Sequence, residues 1–404
     1  MRILHVIHGL NPAYGGPPRI ALNLAAAQAG SGNEVHLLCY ENPSASSQIE
    51  AIIRRIGCHD RVTFHWLPPP GAVERYFARE ARQWARRFLG TAPPDILHLH
   101  SVWDSLVRVV AAEAARADVP YVILLNGMLD PWSLAQKPLK KRLALLAAYR
   151  RMLDGAAALH CGNEDEVRGI APLKLKPPTA VIPNGVGPHE IAMLPPRGTF
   201  VSAHPRLAGR RYILFLSRLH YKKGVDVLAE AFAGFAPHHS DVDLVVAGPD
   251  GGAQHDFEQA VARAGLQQRV HITGPLYAEQ KWAVLVDAAC FCLPSHQEGF
   301  SMAITEALAC GCPPIISEGC HFPEVAASGA GLVVPMEAGA FTQAFLQIFG
   351  EPGRLAEMSR RARELALARY TWPLIAQQTL DLYSSILAGR RQPAAAGRCA
   401  CTSW

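Results

Sequence analysis

Two glutamates, Glu298 and Glu306, stand eight residues apart in a segment that can bring carboxylates and backbone N–H groups together. The apolar run 290–293 predicts a buried strand before them, and Ser301 can cap a helix over residues 302–310. One carboxylate then lies in the loop above the strand, and the other lies just over one turn into the helix. The N–H groups of the helix start lie between them and can bind phosphate. Two carboxylates for hydroxyls and a helix end for phosphate match what a sugar nucleotide requires.

Arg218 and Lys223 flank a second strand-to-helix turn, upstream of the glutamates. Residues 212–216 predict an apolar strand, and residues 225–236 predict a helix. Both cations can therefore project over the carboxyl edge of one sheet, where open α/β sheets bind ligands. A forked guanidinium and a mobile ammonium suit the two phosphates of a leaving nucleoside diphosphate. The alternative is a solvated basic loop.

The two segments together resemble a known family in the order and spacing of their residues. They are similar to the retaining glycosyltransferases of the GT4 family, the glycosyl transferases group 1. The resemblance rests on Ser217-Arg218, Lys222-Lys223-Gly224, Pro294-Ser295, Glu298-Gly299-Phe300 and Glu306-Ala307. It is specific in the C-terminal half and extends more weakly over almost the whole chain. It implies the GT-B fold, an α/β architecture of two doubly wound, Rossmann-like parallel-sheet domains facing each other across a cleft.

The resemblance also implies roles for residues of the donor site. Glu306 is expected to bind the ribose hydroxyls, and Glu298 is expected to bind a hydroxyl of the transferred sugar. The groups expected around the departing diphosphate and the base are Arg218, Lys223, Gly299, Phe300, Ser301, Pro275 and Leu276. The donor substrate would be a nucleoside-diphosphate sugar, with no cofactor. No metal site is expected either, because no Asp-x-Asp pair occurs in a loop that would face the cleft.

Asn126 departs from the family pattern. After the predicted strand 121–125 the family usually has His-Gly, whose histidine contacts the donor sugar near the reacting carbon, whereas this chain has Asn126-Gly127. An amide can hydrogen-bond a sugar hydroxyl but cannot hold a proton or a positive charge. Either the amide takes the place of the imidazole in catalysis, or catalysis is impaired. Retaining transfer in which a phosphate oxygen takes the acceptor proton does not require a histidine base.

The N-terminal half offers two further candidate positions. Gly15 and Gly16 precede a predicted helix over 17–30, where they permit a close backbone approach to a ligand. Their pattern is not the dinucleotide fingerprint, which argues against NAD. A tight connecting loop is the alternative, and the resemblance favours a loop that faces the donor. His100 ends the predicted strand 95–100 and Asp104 follows it. Both are acceptor-side candidates, although a lone histidine is more often a packed core residue.

Strand-like and helix-like runs alternate along the whole chain and predict two doubly wound domains. The predicted strands cover residues 3–7, 34–39, 62–66, 95–100, 121–125, 157–160, 180–182, 212–216, 244–247, 270–272, 290–293, 314–316 and 332–334. The predicted division is an acceptor-side domain 1–190, a linker 191–207, a nucleotide-sugar domain 208–370, a helix 371–390 that crosses back to the first domain, and a tail 391–404.

Length and composition fit this organisation. The chain has 404 residues, half of them hydrophobic and 18% charged, which is typical of a globular protein with two domains. No apolar run approaches the roughly 18 residues that span a bilayer, and the N-terminus predicts a first strand, so cytoplasmic residence is expected. The ten cysteines form no Cys-x-x-Cys pair and predict buried thiols, with Cys399 and Cys401 in the tail.

The net charge of +5 lies entirely in the N-terminal half. Residues 1–190 contain 21 Lys and Arg against 16 Asp and Glu, whereas the remainder is balanced. Two basic groups stand out: Arg75, Arg79, Arg82 and Arg86 at helical spacing, and Lys137, Lys140, Lys141, Arg142, Arg150 and Arg151. They are either solvated helix faces or a docking surface for anionic phospholipid at the inner face of a membrane. Nucleic acid is a poorer explanation, because no aromatic–basic platform or reading helix is evident.

The sequence thus predicts a hexosyltransferase that moves a sugar from a nucleoside-diphosphate sugar to a saccharide or polyprenyl-linked acceptor, with retention of configuration. Such a reaction belongs to polysaccharide or glycoconjugate biosynthesis. Two alternatives remain open. The first is another GT-B chemistry such as epimerisation, which needs an additional acid/base pair. The second is a sugar-nucleotide-binding partner that lost activity with Asn126.

Overall fold

The computed structural model describes residues 1–136 and 138–391, without the side chain of Arg391. Lys137 of the second basic group and the tail cysteines Cys399 and Cys401 lie outside this range. Contacts divide the chain into two compact units. The first unit comprises Met1–Cys161, Val167–Ile182 and the residues from Pro373 on, and the second comprises Gly162–Glu166 and Pro183–Trp372. The predicted returning helix is therefore grouped with the first unit.

The first unit is built on a seven-stranded parallel sheet with the order β3-β2-β1-β4-β5-β6-β7. Its strands are β1 Arg2–Val6, β2 Glu34–Tyr40, β3 Val62–Leu67, β4 Ile96–His100, β5 Tyr121–Leu124, β6 Ala158–Cys161 and β7 Thr179–Val181. Every residue of β4, β5 and β6 is buried, as expected when helices cover both faces of a parallel sheet. The predicted strands are confirmed, with each end within one residue.

The second unit has a six-stranded parallel sheet with the order β10-β9-β8-β11-β12-β13. Its strands are β8 Arg211–Leu216, β9 Val242–Ala247, β10 Val270–Gly274, β11 Cys290–Leu293, β12 Pro314–Ser317 and β13 Leu332–Val334. In both sheets the chain builds outward from a central strand in one direction and then crosses to the other side. This order is the doubly wound arrangement predicted from the alternation of strands and helices.

Helices connect the strands. Up to the end of the first sheet they are α1 Gly16–Gly30, α2 Ser46–Arg54, α3 Ala72–Phe77, α4 Arg79–Thr91, α5 Ser105–Arg116, α6 Pro131–Ala135, α7 Pro138–Ala144, α8 Arg150–Asp154 and α9 Glu164–Ile170. The remaining helices are α10 Pro188–Ala192, α11 Thr199–Ala203, α12 Val225–Phe235, α13 Gln254–Arg263, α14 Ala278–Asp287, α15 Met302–Ala309, α16 Glu324–Ala327, α17 Ala338–Gly350, α18 Arg354–Arg369 and α19 Trp372–Arg391. A single π-helical turn, Leu145–Tyr149, joins α7 to α8.

The segment 191–207, predicted as a linker, packs into the second unit. Phe200 and Leu207 belong to the hydrophobic core of that unit. The carboxylate of Asp287 accepts hydrogen bonds from the backbone N–H groups of Gly198 (2.6 Å) and Phe200 (2.8 Å), which holds the start of α11. The segment 191–207 is rich in turn-forming residues, but it contributes side chains to the hydrophobic core of the second unit.

The first basic group does not form one continuous helix face. Ala78 has a left-handed backbone (φ 46°) and separates α3 from α4, so Arg75 lies on a different helix from Arg79. The break is stabilised by the buried carboxylate of Glu74. It accepts hydrogen bonds from two N–H groups in the first turn of α4 (3.1 and 3.2 Å) and from the Tyr40 hydroxyl (2.8 Å).

Two arginines of the same group are engaged within the first unit. The buried carboxylate of Glu113, on α5, lies 3.6 Å from Arg82 Nε and 3.0 Å from Arg86 Nε. Arg116 also contacts this carboxylate. The predicted four-arginine stripe is therefore corrected: its last two members neutralise a buried glutamate.

The eight cysteines among the described residues are all free, and seven of them are buried. Burial raises the pKa of the Cys290 and Cys292 thiols well above the usual range. These cysteines behave as small apolar core residues, as predicted. Among the described helices, none is long and apolar enough to cross a membrane.

Candidate active site

The site predicted around the two glutamates lies at the switch point of the second sheet. The chain builds β8, β9 and β10 in one direction, and β11 then pairs with the other side of β8. The carboxyl ends of β8 and β11 therefore lie at the point where the strand order reverses, which is where open α/β sheets bind ligands. The predicted cations follow β8, and the predicted glutamates follow β11.

These two loops pack tightly because a glycine permits it. Gly224 has a left-handed backbone (φ 64°), and a Cβ there would lie 1.9 Å from the carbonyl oxygen of Pro294. Beside it, the N–H of His296 donates to the carbonyl of Lys222 at 2.8 Å. A side chain at Gly224 would thus force the β8 and β11 loops apart, and with them the residues they carry.

Lys223 and Glu298 form an ion pair across the two loops. Lys223 Nζ lies 2.5 Å from Glu298 Oε1, and the two side chains are only 15% and 10% exposed. The backbone N–H of Glu298 donates to Gly319 O at 2.8 Å, so the loop after β12 holds the backbone that carries this carboxylate. Lys223, predicted to bind phosphate, and Glu298, predicted to bind the sugar, are therefore brought together. In this structure their charges neutralise each other.

The start of α15 presents backbone N–H groups next to this pair. Ser301 is the N-cap residue with an extended backbone, as predicted, but its side chain makes no capping hydrogen bond. The preceding loop is braced by Asn163, whose Nδ2 donates to Gly299 O at 2.5 Å. Phe300 packs against Phe322 with ring centroids 5.3 Å apart. The first-turn N–H groups of a helix have no intrahelical partner and can bind an anion here.

Glu306 lies on α15 with its carboxylate buried, and it pairs with a lysine of the neighbouring helix. Lys281 Nζ donates to Glu306 Oε1 at 2.8 Å. Lys281 is in the first part of α14, which begins just after Pro275 and Leu276. Lys281 therefore connects Glu306, expected to bind the ribose, to the helix that follows the loop expected to bind the base.

Pro275 and Leu276 follow β10, two strands away from β8 in the sheet order. Pro275 is exposed and Leu276 is half-buried, and both border a groove of about 630 Å³. Gln280 and Arg206 also line it. The predicted base-binding loop is thus accessible.

Arg218 is exposed immediately after β8. The nearby His220 reports the local potential. Its pKa is lowered, first by burial and then by the positive charges of Arg218, Lys223 and Lys222. The loop after β8 is therefore a region of positive potential at the carboxyl edge of the sheet, as the phosphate-binding prediction requires.

In the first unit, Gly15 and Gly16 begin α1. Gly15 has a backbone (φ 85°) that L-residues rarely adopt, and there is open space where a Cβ would stand. Conformation rather than crowding therefore requires glycine at this position.

Asn126 lies just after β5 with a left-handed backbone (φ 52°), which asparagine tolerates better than most residues. Its Nδ2 is buried and has no hydrogen-bond partner in the described part of the chain. A buried donor without a partner calls for an explanation, and a ligand oxygen is one.

Asp104 stands at the switch point of the first sheet, between β4 and α5. Its Oδ1 caps α5 by accepting from the Leu106 N–H at 2.8 Å, and its Oδ2 lies 2.9 Å from Nδ1 of His8. His8 follows β1, and its ring is partly exposed. Hydrogen bonding to Asp104 raises the pKa of His8. The predicted acceptor-side carboxylate therefore belongs to a polar pair.

His100 is completely buried, unlike a group that contacts an acceptor directly. It belongs to a chain of hydrogen bonds in the first unit formed by His100, His5, Gln28, Tyr383, His98, His160 and the carbonyl of Ile182. The Ile182 carbonyl can only accept a hydrogen bond, so His160 must donate to it from Nε2. If each imidazole is neutral, the donor and acceptor of every other bond in the chain are then determined, and each of the four histidines carries its proton on Nε2. The Nδ1 of His100 is left without a partner among the described residues. His98 and His100, two residues apart, share one side of β4.

Three of these rings, His5, His98 and His100, are the one group with metal-ligand spacing found among the described residues. Their hydrogen bonds use ring nitrogens that a metal ion would need. We therefore interpret them as a polar network in the core that attaches α19, through Tyr383, to the first sheet.

Two residues that pair with predicted carboxylates, Lys281 in the second unit and His8 in the first, belong to no sequence motif. Lys281 follows the predicted base loop by a few residues, and a lysine near the start of a helix is a weak signal. His8 directly follows the first strand, at the same sheet edge as Asp104. Only the strand order places these pairs side by side.

Comparisons with known proteins agree with the fold and the motifs. Residues 15–185 match the model of the glycosyl transferase 4-like domain, and residues 199–365 match that of the glycosyl transferases group 1. The phosphatidyl-myo-inositol mannosyltransferase of Mycobacterium leprae is 26% identical over 92% of this chain and 93% of its own length. The GDP-mannose:cellobiosyl-diphosphopolyprenol alpha-mannosyltransferase of Xanthomonas campestris is 24% identical over 96% of this chain and 97% of its own.

Solved structures with the same fold cover nearly the whole chain. Sucrose-phosphate synthase of Thermosynechococcus elongatus has a TM-score of 0.72 at 20% identity, over 96% of this chain and 99% of its own. HepE of Anabaena, in complex with UDP-glucose, has a TM-score of 0.73 at 19% identity, over 95% of this chain and 100% of its own. The two family models, the full-length mannosyltransferase relatives and the two parallel-sheet units all agree. The chain is a hexosyltransferase of the GT4 glycosyltransferase family with the GT-B fold.

Proposed function

We propose that this enzyme transfers a sugar, with retention of anomeric configuration, from a nucleoside-diphosphate sugar to a saccharide or lipid-linked saccharide. The observation that carries the proposal is the pair of carboxylate–lysine contacts at the carboxyl edge of the second sheet, Glu298–Lys223 and Glu306–Lys281. In each contact a carboxylate that can bind a hydroxyl lies beside a lysine, and the two contacts occupy separate positions of the second unit. A nucleoside-diphosphate sugar has hydroxyls on its ribose and on its sugar, at either end of the diphosphate, and so matches two separate pairs of a carboxylate and a lysine.

The diphosphate would lie at the start of α15. Its charge would be stabilised by the N–H groups of Phe300 and Ser301, by Arg218 and by Lys223. Such preorganised charge is the main source of rate enhancement in many enzymes. The donor would draw Lys223 towards a phosphate and leave Glu298 to accept a hydrogen bond from the sugar.

Retention is compatible with the groups present. The acceptor hydroxyl would approach the face of the sugar that the diphosphate leaves. Its oxygen bonds to the anomeric carbon as the bond to the phosphate oxygen breaks, and that phosphate oxygen takes the proton. No imidazole base is needed in this scheme. The buried amide of Asn126 is then a hydrogen-bond donor to the sugar or to the leaving group.

The relatives support a nucleotide-sugar donor and a lipid-linked acceptor. The names of two relatives include GDP-mannose, a diphosphopolyprenol and phosphatidyl-myo-inositol, and HepE was crystallised with UDP-glucose. On the first unit, the His8–Asp104 pair and Asn126 are the polar groups at the carboxyl edge that an acceptor hydroxyl could meet.

Binding of a panel of UDP-, GDP- and ADP-sugars, measured by calorimetry, tests the proposal. We expect one nucleotide class to bind and to be turned over with a saccharide or lipid-linked acceptor. NMR of the product should show the anomeric configuration of the donor, and activity should survive a chelator because cations of the protein face the diphosphate. An inverted product would contradict retention, and loss of activity in chelator that Mg²⁺ or Mn²⁺ restores would contradict metal independence.

The departure at Asn126 favours one other candidate, a sugar-nucleotide-binding partner without transferase activity. The same experiment separates the two. Tight donor binding with no transfer to any acceptor, and no slow hydrolysis of the donor, would support the binding partner. The intact charged pairs around Glu298 and Glu306 support the enzyme, because they suit a reacting donor.

Replacing Lys281 with methionine should weaken donor binding by on the order of tenfold, because Lys281 holds the carboxylate that meets the ribose. Glu306→Ala should cost more, about 1.5–3 kcal/mol, since the charge-assisted hydrogen bonds themselves are lost. Calorimetry with the preferred nucleotide measures both. Lys176→Met, at an exposed position, is the matched control. Unchanged affinity in both site variants would remove Glu306 from the nucleotide site.

A further inference from the structure

Three members of the second basic group, Lys140, Lys141 and Arg142, lie on α7, which also exposes large apolar side chains. On α7 and the π-helical turn after it, Leu139, Leu143 and Leu146 are 74%, 68% and 77% exposed. Their spacing of four and then three residues places them in one stripe. A helix of a soluble protein normally turns such a stripe towards the core. Here large apolar side chains face outward instead.

Packing on the inner side explains this orientation. Lys141 Nζ donates to Ser133 O at 2.5 Å and lies 6.0 Å from the centre of the Trp103 ring. Arg150 Nε pairs with Asp154 at 2.7 Å. Lys141 and Arg150 therefore make contacts within the first unit, and the Lys141 contacts fix the rotation of α7 about its axis. The outward position of the leucines is therefore a property of the packed structure.

Cations flank the leucine stripe. Lys140 and Arg142 are exposed beside it. Arg151 is exposed on α8, and Asp154, the one acidic residue of the segment 131–154, is paired with Arg150. The surface around the stripe therefore complements a negatively charged partner.

A second apolar patch adjoins the first. On α3, Val73, Tyr76 and Phe77 are 54%, 75% and 58% exposed. Arg108 connects the two, because it donates to the carbonyl of Tyr76 (3.3 Å) and lies 5.9 Å from the centre of the Tyr149 ring. Tyr149 ends the π-helical turn, so both patches border the same part of the first unit.

We propose that this face docks on an anionic phospholipid bilayer, with its apolar side chains inserted between the headgroups. The docking face comprises Val73, Tyr76, Phe77, Leu139, Leu143 and Leu146. Apolar side chains on a helix bordered by cations are the pattern of a helix that lies in the membrane interface. The charge also disfavours a second copy of the chain, since a two-fold interface would bring two positively charged faces together.

Co-sedimentation with vesicles tests the proposal. Wild-type protein should bind vesicles of mixed phosphatidylcholine and phosphatidylglycerol and should bind phosphatidylcholine alone much more weakly. The variant Leu139→Ser/Leu143→Ser/Leu146→Ser should lose at least about tenfold in partition coefficient, since three apolar insertions are removed. The matched control is Met193→Ser/Leu367→Ser/Leu374→Ser, which removes exposed apolar side chains elsewhere. It should bind as the wild type does.

Two further measurements separate insertion from simple charge attraction. Lys140→Ser/Arg142→Ser should weaken binding most at low salt, because surface charges are screened within about 3 Å at 1 M salt. Leu143→Trp should keep the affinity, and its fluorescence should be quenched by brominated phospholipid. Met193→Trp, the control, should not be quenched.

Three outcomes would overturn the proposal. The first is no sedimentation of the wild type with anionic vesicles. The second is unchanged binding of the triple leucine variant, which would leave charge as the only attraction. The third is a concentration-dependent dimer in ultracentrifugation that the triple leucine variant abolishes, because the face would then be an interface between copies. Thermal unfolding of each variant checks that these surface changes leave the fold intact.

Discussion

Lys223→Met should lower the turnover of the preferred donor by on the order of 10²–10³-fold, the effect typical of losing one preorganised charge at a developing anion. Two losses combine in this variant. The departing diphosphate loses a cation, and the Glu298 carboxylate, only 10% exposed, loses its counter-charge. Steady-state kinetics with the donor identified by the calorimetric panel measures the change.

A double-mutant cycle shows whether the two residues act as a unit. Lys223→Met/Glu298→Gln should lose much less than the sum of the single variants, because the buried charge that each single change leaves behind is absent. Lys222→Met, a change at the neighbouring lysine, is the matched control and should retain most of the activity. Additive losses would contradict a functional ion pair, and full activity in Lys223→Met would remove Lys223 from the site.

Acid should destabilise the first unit because its core contains neutral histidines. Burial lowers the pKa of His5 and His160 to about 4, and it lowers the pKa of His98 and His100 well below the usual range. In the unfolded chain these rings have a pKa near 6.5. The unfolded state therefore binds protons first, so stability present above about pH 6.5 is lost as the pH falls towards 4.

The slope of stability against pH provides the measurement. Each buried histidine contributes on the order of 1.4 kcal/mol per pH unit within this window. The raised pKa of His8 acts in the opposite direction and offsets part of the effect. Urea unfolding between pH 7 and 4.5 should show a steep loss for the wild type. His160→Asn should be less stable at pH 7 but should show a shallower slope.

His255→Asn removes an exposed histidine and is the control for that slope. Tyr383→Phe tests the other end of the network, because it removes the hydroxyl that donates to His98. It should destabilise the attachment of α19 at every pH without changing the slope. An identical slope in His160→Asn and wild type would contradict neutral, titratable histidines in the core.

Local patterns of the sequence determine most of the fold. Short apolar runs predict the thirteen strands of the described residues, and Pro373 lies at the start of the last helix among them. These features follow from backbone propensity and burial, which depend on neighbours along the chain. The motif residues Glu298 and Glu306 can be placed above a strand and within a helix for the same reason.

Helix faces are less well determined, because a helix can be interrupted by a contact that is distant in sequence. The arginine spacing from 75 to 86 is helical, yet Glu74 stabilises a break at Ala78 and Glu113 engages Arg82. Likewise, the basic group of α7 is divided between inward and outward positions by Ser133 and Trp103.

The sequence by itself determined the two parallel sheets, the family motifs and the elements that carry Glu298, Glu306, Arg218 and Lys223. Only the tertiary structure decided which of these side chains meet. Lys223 pairs with Glu298 because β8 and β11 are neighbours at the switch point, and Lys281 of α14 lies 2.8 Å from the Glu306 carboxylate of α15. Partners in such contacts are set by the order of strands in the sheet, which is a long-range property. Residue spacing along the chain does not encode it.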